Sequence, residues 1–140
     1  MAVERTLFIV KPDATAKNIV GKILAHVEGR GFKLVEARYT RLTREQCQEF
    51  YQEHAGKAFF GDLVGYMTSG PVLLACLERE GAVPTLREVV GATDPAQASP
   101  GTIRQLYGKS KQMNSVHASD SPASAEREVK LFFGTAALPR

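Results

Sequence analysis

Apolar positions fall along the chain in blocks whose spacing alternates between strand-like and helix-like, and each block predicts an element. Leu7, Phe8, Ile9 and Val10 follow Thr6 with no polar interruption, so residues 6–10 predict a strand covered on both faces. Lys11-Pro12-Asp13 ends it. Ile19, Val20, Ile23, Leu24 and Val27 then recur at helical spacing. They predict a helix capped by Asp13 or Thr15 and stopped by Gly29 and Gly31. Val35, Ala37 and Tyr39 alternate with Glu36 and Arg38, which predicts a second strand over 32–39 with those three on its inner face.

Thr43-Arg44-Glu45-Gln46 has the spacing of a capping box and opens a second helix. On it Cys47, Phe50, Tyr51 and His54 fall at i, i+3, i+4 and i+7, along one face. Residues 60–67 predict a short helix, Ser69-Gly70-Pro71 a turn, and residues 72–77 a third strand. A helix over 82–90 ends at Gly91. From Ala92 to Ser115 periodicity is lost among Pro95, Pro100, Gly101 and Gly108, and a compact domain rarely keeps so long a loop without using it. A short strand near Val116 ends at His117. Ser121 as N-cap and Pro122 at the first helical position open the last helix, with Ala125, Val129, Phe132 and Phe133 as its stripe. The order of elements predicts an α+β fold, a ferredoxin-like antiparallel sheet with a βαββαβ core and its helices on one face.

Length, composition and charge narrow this only slightly. The 140 residues predict one domain, 1–140, able to bury a core without covalent staples. Apolar residues make up 44% and charged residues 24%, as in ordinary globular chains. The net charge of +3 and pI near 9.0 suit an anionic partner without saying which kind. Cys47 and Cys76 are expected to be reduced structural thiols. The start of the chain carries Glu4 and only a short apolar run, so neither a secretory leader nor a membrane span is expected. These signs point to a cytoplasmic location.

His117 sits in Asn114-Ser115-Val116-His117-Ala118-Ser119-Asp120-Ser121, among small polar residues. Glu128 lies six residues into the last helix from Pro122, about 9 Å, and helical side chains lean back toward the N-terminus. It can therefore reach a histidine beside the start of that helix. A carboxylate on one ring nitrogen fixes the tautomer and frees the other to attack or take a proton. The same spacing also fits a strand-end histidine bonded to backbone. Lys11 at a strand end, with Arg87 and Arg104 flanking the long loop and hydroxyls on Thr93 and Thr102, could together hold phosphate. Tyr51 and His54 fit core packing as well as a site.

Two motifs fail. Gly108-Lys109-Ser110 resembles the end of a P-loop, but Ile103 stands where the first glycine is needed. Arg30-Gly31-Phe32-Lys33-Leu34-Val35 resembles the signature strand of RNA-recognition motifs, yet Leu34 and Ala37 occupy the stacking positions. His26, His54 and His117 lack the spacing of a zinc site.

The ordered set of short stretches resembles the nucleoside diphosphate kinase family. Asn114 through Ser121 is similar to that family's N-x-x-H-G-S-D-S signature. Further likeness runs through Glu4-Arg5-Thr6, Lys11-Pro12-Asp13, Phe50-Tyr51, His54, Phe59-Phe60 and Ser69-Gly70-Pro71. It continues through Gly91-Ala92-Thr93-Asp94-Pro95, Gly101-Thr102-Ile103-Arg104, Glu128 and Phe132-Phe133. The resemblance implies transfer of the γ-phosphate of a nucleoside triphosphate to a nucleoside diphosphate by a ping-pong route, with His117 as nucleophile and phosphohistidine carrier. It implies that Glu128 orients the imidazole and that Ser119 supports the site by hydrogen bonding. Lys11, Tyr51, His54, Arg87, Thr93, Arg104 and Asn114 would surround phosphates and sugar, and Phe59 would stack on the base. Mg²⁺ would arrive on the nucleotide phosphates, with no ligand required from the protein. A homo-oligomer, tetramer or hexamer, is implied, with no membrane and no need for nucleic acid.

Three stretches depart from the family pattern: Ala118 for glycine, Gln105-Leu106 for Gly-Asp, and Arg79 with Gly81 for Gly and Asn. They bear on loop bracing and assembly more than on chemistry. A basic ferredoxin-like module binding nucleic acid or protein would also fit charge and pattern. It leaves unexplained why His117, Glu128 and the loop cations occur together.

Overall fold

β1 (Val3–Val10), β2 (Lys33–Thr40), β3 (Val72–Glu80) and β4 (Val116–Ala118) form one antiparallel sheet in the order β2-β3-β1-β4. The structure, a computed structural model, describes residues 2–137, so residue 1 and residues 138–140 of the expected 1–140 domain lie outside the described residues. The helices are α1 (Pro12–Ala16), α2 (Val20–Glu28), α3 (Arg44–Phe50), α4 (Phe60–Met67), α5 (Ala82–Val90), α6 (Ile103–Tyr107) and α7 (Pro122–Phe133). The strand order and antiparallel pairing are those of the expected ferredoxin-like α+β fold. Among the described residues no helix is long and apolar enough to cross a membrane. Cys47 and Cys76 are buried free thiols, both pushed up to about 11 chiefly by burial.

The helices do not sit on one face as expected; they cover both. β1 explains why, because Leu7, Phe8, Ile9 and Val10 are all fully buried, and alternate side chains of a strand leave opposite faces. Phe8 and Val10 pack with Ile23 and Val27 of α2 and with Leu86 and Val89 of α5. Leu7 and Ile9 pack on the other side with Cys47 and Phe50 of α3, Val64 and Met67 of α4, and Val129 and Phe132 of α7.

The expected first helix is two helices. Asn18 takes φ +60 and interrupts the helical path between α1 and α2, a conformation that asparagine tolerates better than most residues. Neither Asp13 nor Thr15 caps it: Lys11 holds the N-cap position without a side-chain bond. β2 also corrects the expected alternation. A bulge between Leu34 and Glu36 shifts its register against β3, and an extra residue reverses which face each later side chain takes. Val35 therefore packs with Leu7 and Ile9, while Ala37 and Tyr39 pair with Ala75 and Leu73 on the opposite side. Tyr39 is 60% exposed on this edge strand.

Other signals hold closely. Thr43 and Gln46 make both bonds of the capping box, at 3.1 and 2.9 Å. Ser121 caps α7 through Ser124 N–H at 3.1 Å, with Pro122 first in the helix. Gly91 ends α5 at φ +92, and its carbonyl accepts Arg104 Nη1 at 3.1 Å. A Cβ there would lie 2.6 Å from Thr102 Oγ1. Gly91→Ala combines a left-handed backbone with overpacking and should cost roughly 2–4 kcal/mol of unfolding free energy. Chemical denaturation measures this; a change near zero would mean that the loop repacks freely.

Candidate active site

A cleft of about 260 Å³ opens between the end of β1, the turn after α3, the end of α5 and the loop that leads into β4. Its position follows from strand phase. In β4, Val116 and Ala118 pack on the α2–α5 side, so the residue between them, His117, faces α3 and α7. The edge of its ring meets Phe50 at 4.9 Å between centroids, at an interplanar angle of 80°.

On that side α7 places Glu128. Glu128 is only 5% exposed because it continues the helix face that buries Ala125, Val129 and Phe132. Its Oε1 lies 2.9 Å from His117 Nε2 and accepts Ser119 Oγ–H at 2.6 Å. Ser119 thus bonds the carboxylate and reaches the imidazole only through it. Arg127 Nη2 lies 3.7 Å from the other carboxylate oxygen. A carboxylate held by two donors accepts a proton-bearing ring nitrogen, so Nε2 carries the hydrogen and Nδ1 keeps its lone pair. Burial is the main cause that lowers the His117 pKa below 6.5, with Lys11 and Arg104 adding to it and Glu128 opposing. A fifth of the side chain is still open to solvent, which limits the shift.

Opposite the ring stand the cations. Lys11 is 6% exposed and donates to Asn114 Oδ1 at 2.8 Å and to the Gln112 carbonyl at 3.4 Å. Asn114 Nδ2 is spent on the carbonyls of Thr93 and Lys111, both at 3.0 Å, which ties the long loop to the site. Arg104, 4% exposed, donates to Gly91 O and Val116 O, and its Nε has no partner among the described residues. Burial, with Arg104 nearby, lowers Lys11 to about 8; burial, with Arg87 nearby, lowers Arg104 to about 10. Arg87 stands at the exposed rim and reaches the Ala118 carbonyl at 3.3 Å.

The structure brings His117, Glu128, Lys11, Tyr51, His54, Arg87, Thr93, Arg104 and Asn114 to one cleft. Ser119 lies behind it. Phe59 lies outside the lining at the mouth, 48% exposed, its ring 5.4 Å from that of His54 and 5.7 Å from Lys57 Nζ. Tyr51 packs edge-on against Phe50 at 4.6 Å, and burial pushes its hydroxyl well above the usual range, so it stays a neutral donor. Glu53, Leu63, Lys111 and Asp120 line the cleft as well. Sequence reasoning passed over these four. Lys111 and Asp120 could have been found, since each lies within three residues of Asn114 or His117. Among the described residues no three His, Cys, Asp or Glu side chains gather to hold a metal.

A family model described as "Nucleoside diphosphate kinase" matches residues 4–138. The chain is 51% identical over 133 residues to a nucleoside diphosphate kinase of Bdellovibrio bacteriovorus, covering 95% of this chain and 94% of that one. Against the nucleoside diphosphate kinase of Halorhodospira halophila the identity is 52%, with the same coverage. The solved nucleoside diphosphate kinase of Aquifex aeolicus superposes with a TM-score of 0.94 at 44% identity, over 99% of this chain and 100% of that one. A halophilic nucleoside diphosphate kinase from Halobacterium salinarum in complex with CDP gives 0.93 at 39% identity, over 99% and 93%.

Buried cations bonded only to neutral oxygens should make the fold respond to polyphosphate. Tripolyphosphate at a hundred times its Kd should add about 2.7 kcal/mol, raising Tm by about 10 °C, and Lys11→Gln should remove most of that gain. Thermal melts with and without the anion measure it; an equal rise in wild type and Lys11→Gln would place the anion elsewhere.

Proposed function

The chain belongs to the nucleoside diphosphate kinase family, and from that premise we propose that His117 carries a phosphoryl group between nucleotides. It is a nucleotide-binding kinase, a transferase of nucleotide metabolism. The finer reading is a ping-pong route. The observation that carries it is the 2.9 Å contact of Nε2 with Glu128, which leaves Nδ1 as the free nitrogen in a cleft that Lys11, Arg87 and Arg104 also line.

In the first half-reaction the Nδ1 lone pair attacks the γ-phosphorus of a nucleoside triphosphate. The P–N bond forms, the P–O bond to the β-phosphate breaks, and the diphosphate leaves with the electron pair. The Nε2 proton stays in its bond to Glu128, whose carboxylate balances the charge the ring acquires. In the second half-reaction a terminal oxygen of a different diphosphate attacks the phosphohistidine and restores neutral His117. The phosphoryl group moves through a loose transition state with charge spread over its equatorial oxygens. Lys11, Arg87 and Arg104 are cations fixed before the reaction, so they stabilise that charge without reorganising.

Tyr51, His54, Thr93 and Asn114 supply polar groups for phosphate and sugar, and Ser119 holds Glu128 in place. Phe59 at the mouth offers one face to any base, a contact of about 1–3 kcal/mol that reads no base edge. Mg²⁺ is the divalent cation we expect, held by phosphate oxygens and water and neutralising part of their charge when bound. A homo-oligomer, tetramer or hexamer, and a cytoplasmic location complete the reading.

Incubation with γ-labelled ATP and Mg²⁺ tests the carrier directly. The label should be acid-labile and base-stable, and absent from His117→Ala; label that persists in the variant would end the proposal.

The pH profile of kcat/KM tests the charges. Activity needs neutral His117, which burial favours, so the acid limb should lie below 6.5. It also needs charged Lys11, which loses its proton as pH rises through about 8. Rates should therefore decline above that pH, and Lys11→Arg should move the decline upward. A profile flat to pH 10 would remove Lys11 from the phosphate site.

A further inference from the structure

Ser115 and Asn18 are the only non-glycine residues with positive φ among the described residues, and Ser115, at φ +75, lies two residues before His117. Its neighbours close a three-residue turn, with Val116 N–H donating to Asn114 O at 2.9 Å. A γ-turn with a left-handed central residue is rare and strained. The serine side chain does nothing to offset the strain: it is fully buried, and its Oγ has no hydrogen-bond partner.

The support comes from outside. Ser115 N–H donates to Asp13 Oδ2 at 3.1 Å, and Ser115 O accepts Lys11 N–H at 2.9 Å. Asp13 is only 8% exposed, and its other carboxylate oxygen accepts the Tyr66 hydroxyl. Asp13 N–H in turn donates to Tyr66 Oη at 3.3 Å. Tyr66 belongs to α4 and Asp13 to α1, so two helices on different parts of the chain fix one carboxylate under one strained turn. That turn joins Asn114, which holds Lys11 Nζ at 2.8 Å, to the strand that carries His117.

We propose that Asp13 and Tyr66 are positioning residues that hold the Ser115 turn left-handed and so set Asn114, Lys11 and His117 in register for phosphoryl transfer. This rests on His117 as the phosphoryl carrier. Neither residue lines the cleft, and both act through the backbone of the turn. Asp13 also favours the charged form of Lys11, so the test must separate charge from geometry. Glycine does so, because it adopts positive φ without a brace.

Asp13→Ala and Tyr66→Phe are each made in the natural chain and in Ser115→Gly. Single-turnover phosphorylation by γ-labelled ATP and steady-state kcat and KM are then measured for all of them. With Ser115 present, Asp13→Ala should slow phosphoryl transfer at saturation by about 10- to 100-fold, since a displacement of about 1 Å can have that effect. Tyr66→Phe, which keeps ring and carboxylate, should slow it less and serves if Asp13→Ala does not fold. In the Ser115→Gly background both losses should shrink severalfold. Equal losses in both backgrounds, or losses confined to KM, would overturn the brace. If the unmodified chain forms no label on His117, it is the carrier reading that fails; normal labelling with unrescued losses sinks the brace alone.

Discussion

Lys11 and Arg104 are buried beside each other with hydrogen bonds to amide and carbonyl oxygens and, among the described residues, none to a carboxylate. That arrangement costs stability. Lowering Lys11 from 10.5 to about 8 corresponds to about 3 kcal/mol against its charged form. The unfolded chain keeps this proton up to about 10.5 and the native chain only to about 8. The site therefore opposes folding fully below pH 8, and the penalty fades as pH rises through that interval. Against a net stability of about 5–15 kcal/mol this is a large fraction. A carboxylate partner would remove the penalty; in the proposed function a phosphate of the nucleotide does so instead.

The rest of the molecule serves to keep that field in place. The buried stretch Thr6–Val10 of β1, packed on both faces, delivers Lys11 at a fixed point. The alternation of β4 turns His117 away from Val116 and Ala118 and toward α7. Glu128 meets it there because α7 is docked by Val129 and Phe132 against β1 and β3. The carboxylate within hydrogen-bond reach of the imidazole is kept off the cations by its bonds to Nε2 and to Ser119. In the proposed mechanism Glu128 anchors the ring through Nε2 and leaves Nδ1 free to attack.

What could be read from the sequence was local. Capping geometry at Thr43 and at Ser121 with Pro122 named helix starts because those bonds span three residues. His117 and Glu128 were legible as a pair because one helix start separates them. The split at Asn18 and the bulge at Leu34–Glu36 were not legible, since each is a backbone choice that tertiary packing decides. Helices on both faces could have been inferred from β1, whose unbroken apolar run already implied two covered sides. Asp13 was misjudged for a related reason. At the start of a helix an aspartate reads as a cap, and only the fold shows Ser115 and Tyr66 as its partners. Lys11 and Arg104 could be grouped from the sequence through the strand end and the long loop, but their direct proximity carries no local signal.

The departures from the family pattern then take on a physical meaning. Ala118 is 1% exposed inside β4, where an extended backbone accepts a Cβ without strain. Gln105 does bracing work of its own, its Oε1 accepting Gly101 N–H at 3.1 Å at the start of α6. Gly81 takes φ +60 before α5, and lacking a side chain it leaves the helix start to Glu4, which accepts Val83 N–H at 3.1 Å. Arg79 lies over the Phe32 ring at 5.3 Å, far along β3 from the cleft. At two of these positions a side chain supports nearby backbone, Gln105 at Gly101 and Glu4 at Val83. None alters a charged group in the cleft lining. Chemistry here constrains side-chain identity, whereas scaffolding constrains only where the backbone runs, and several residue choices meet that second demand equally well.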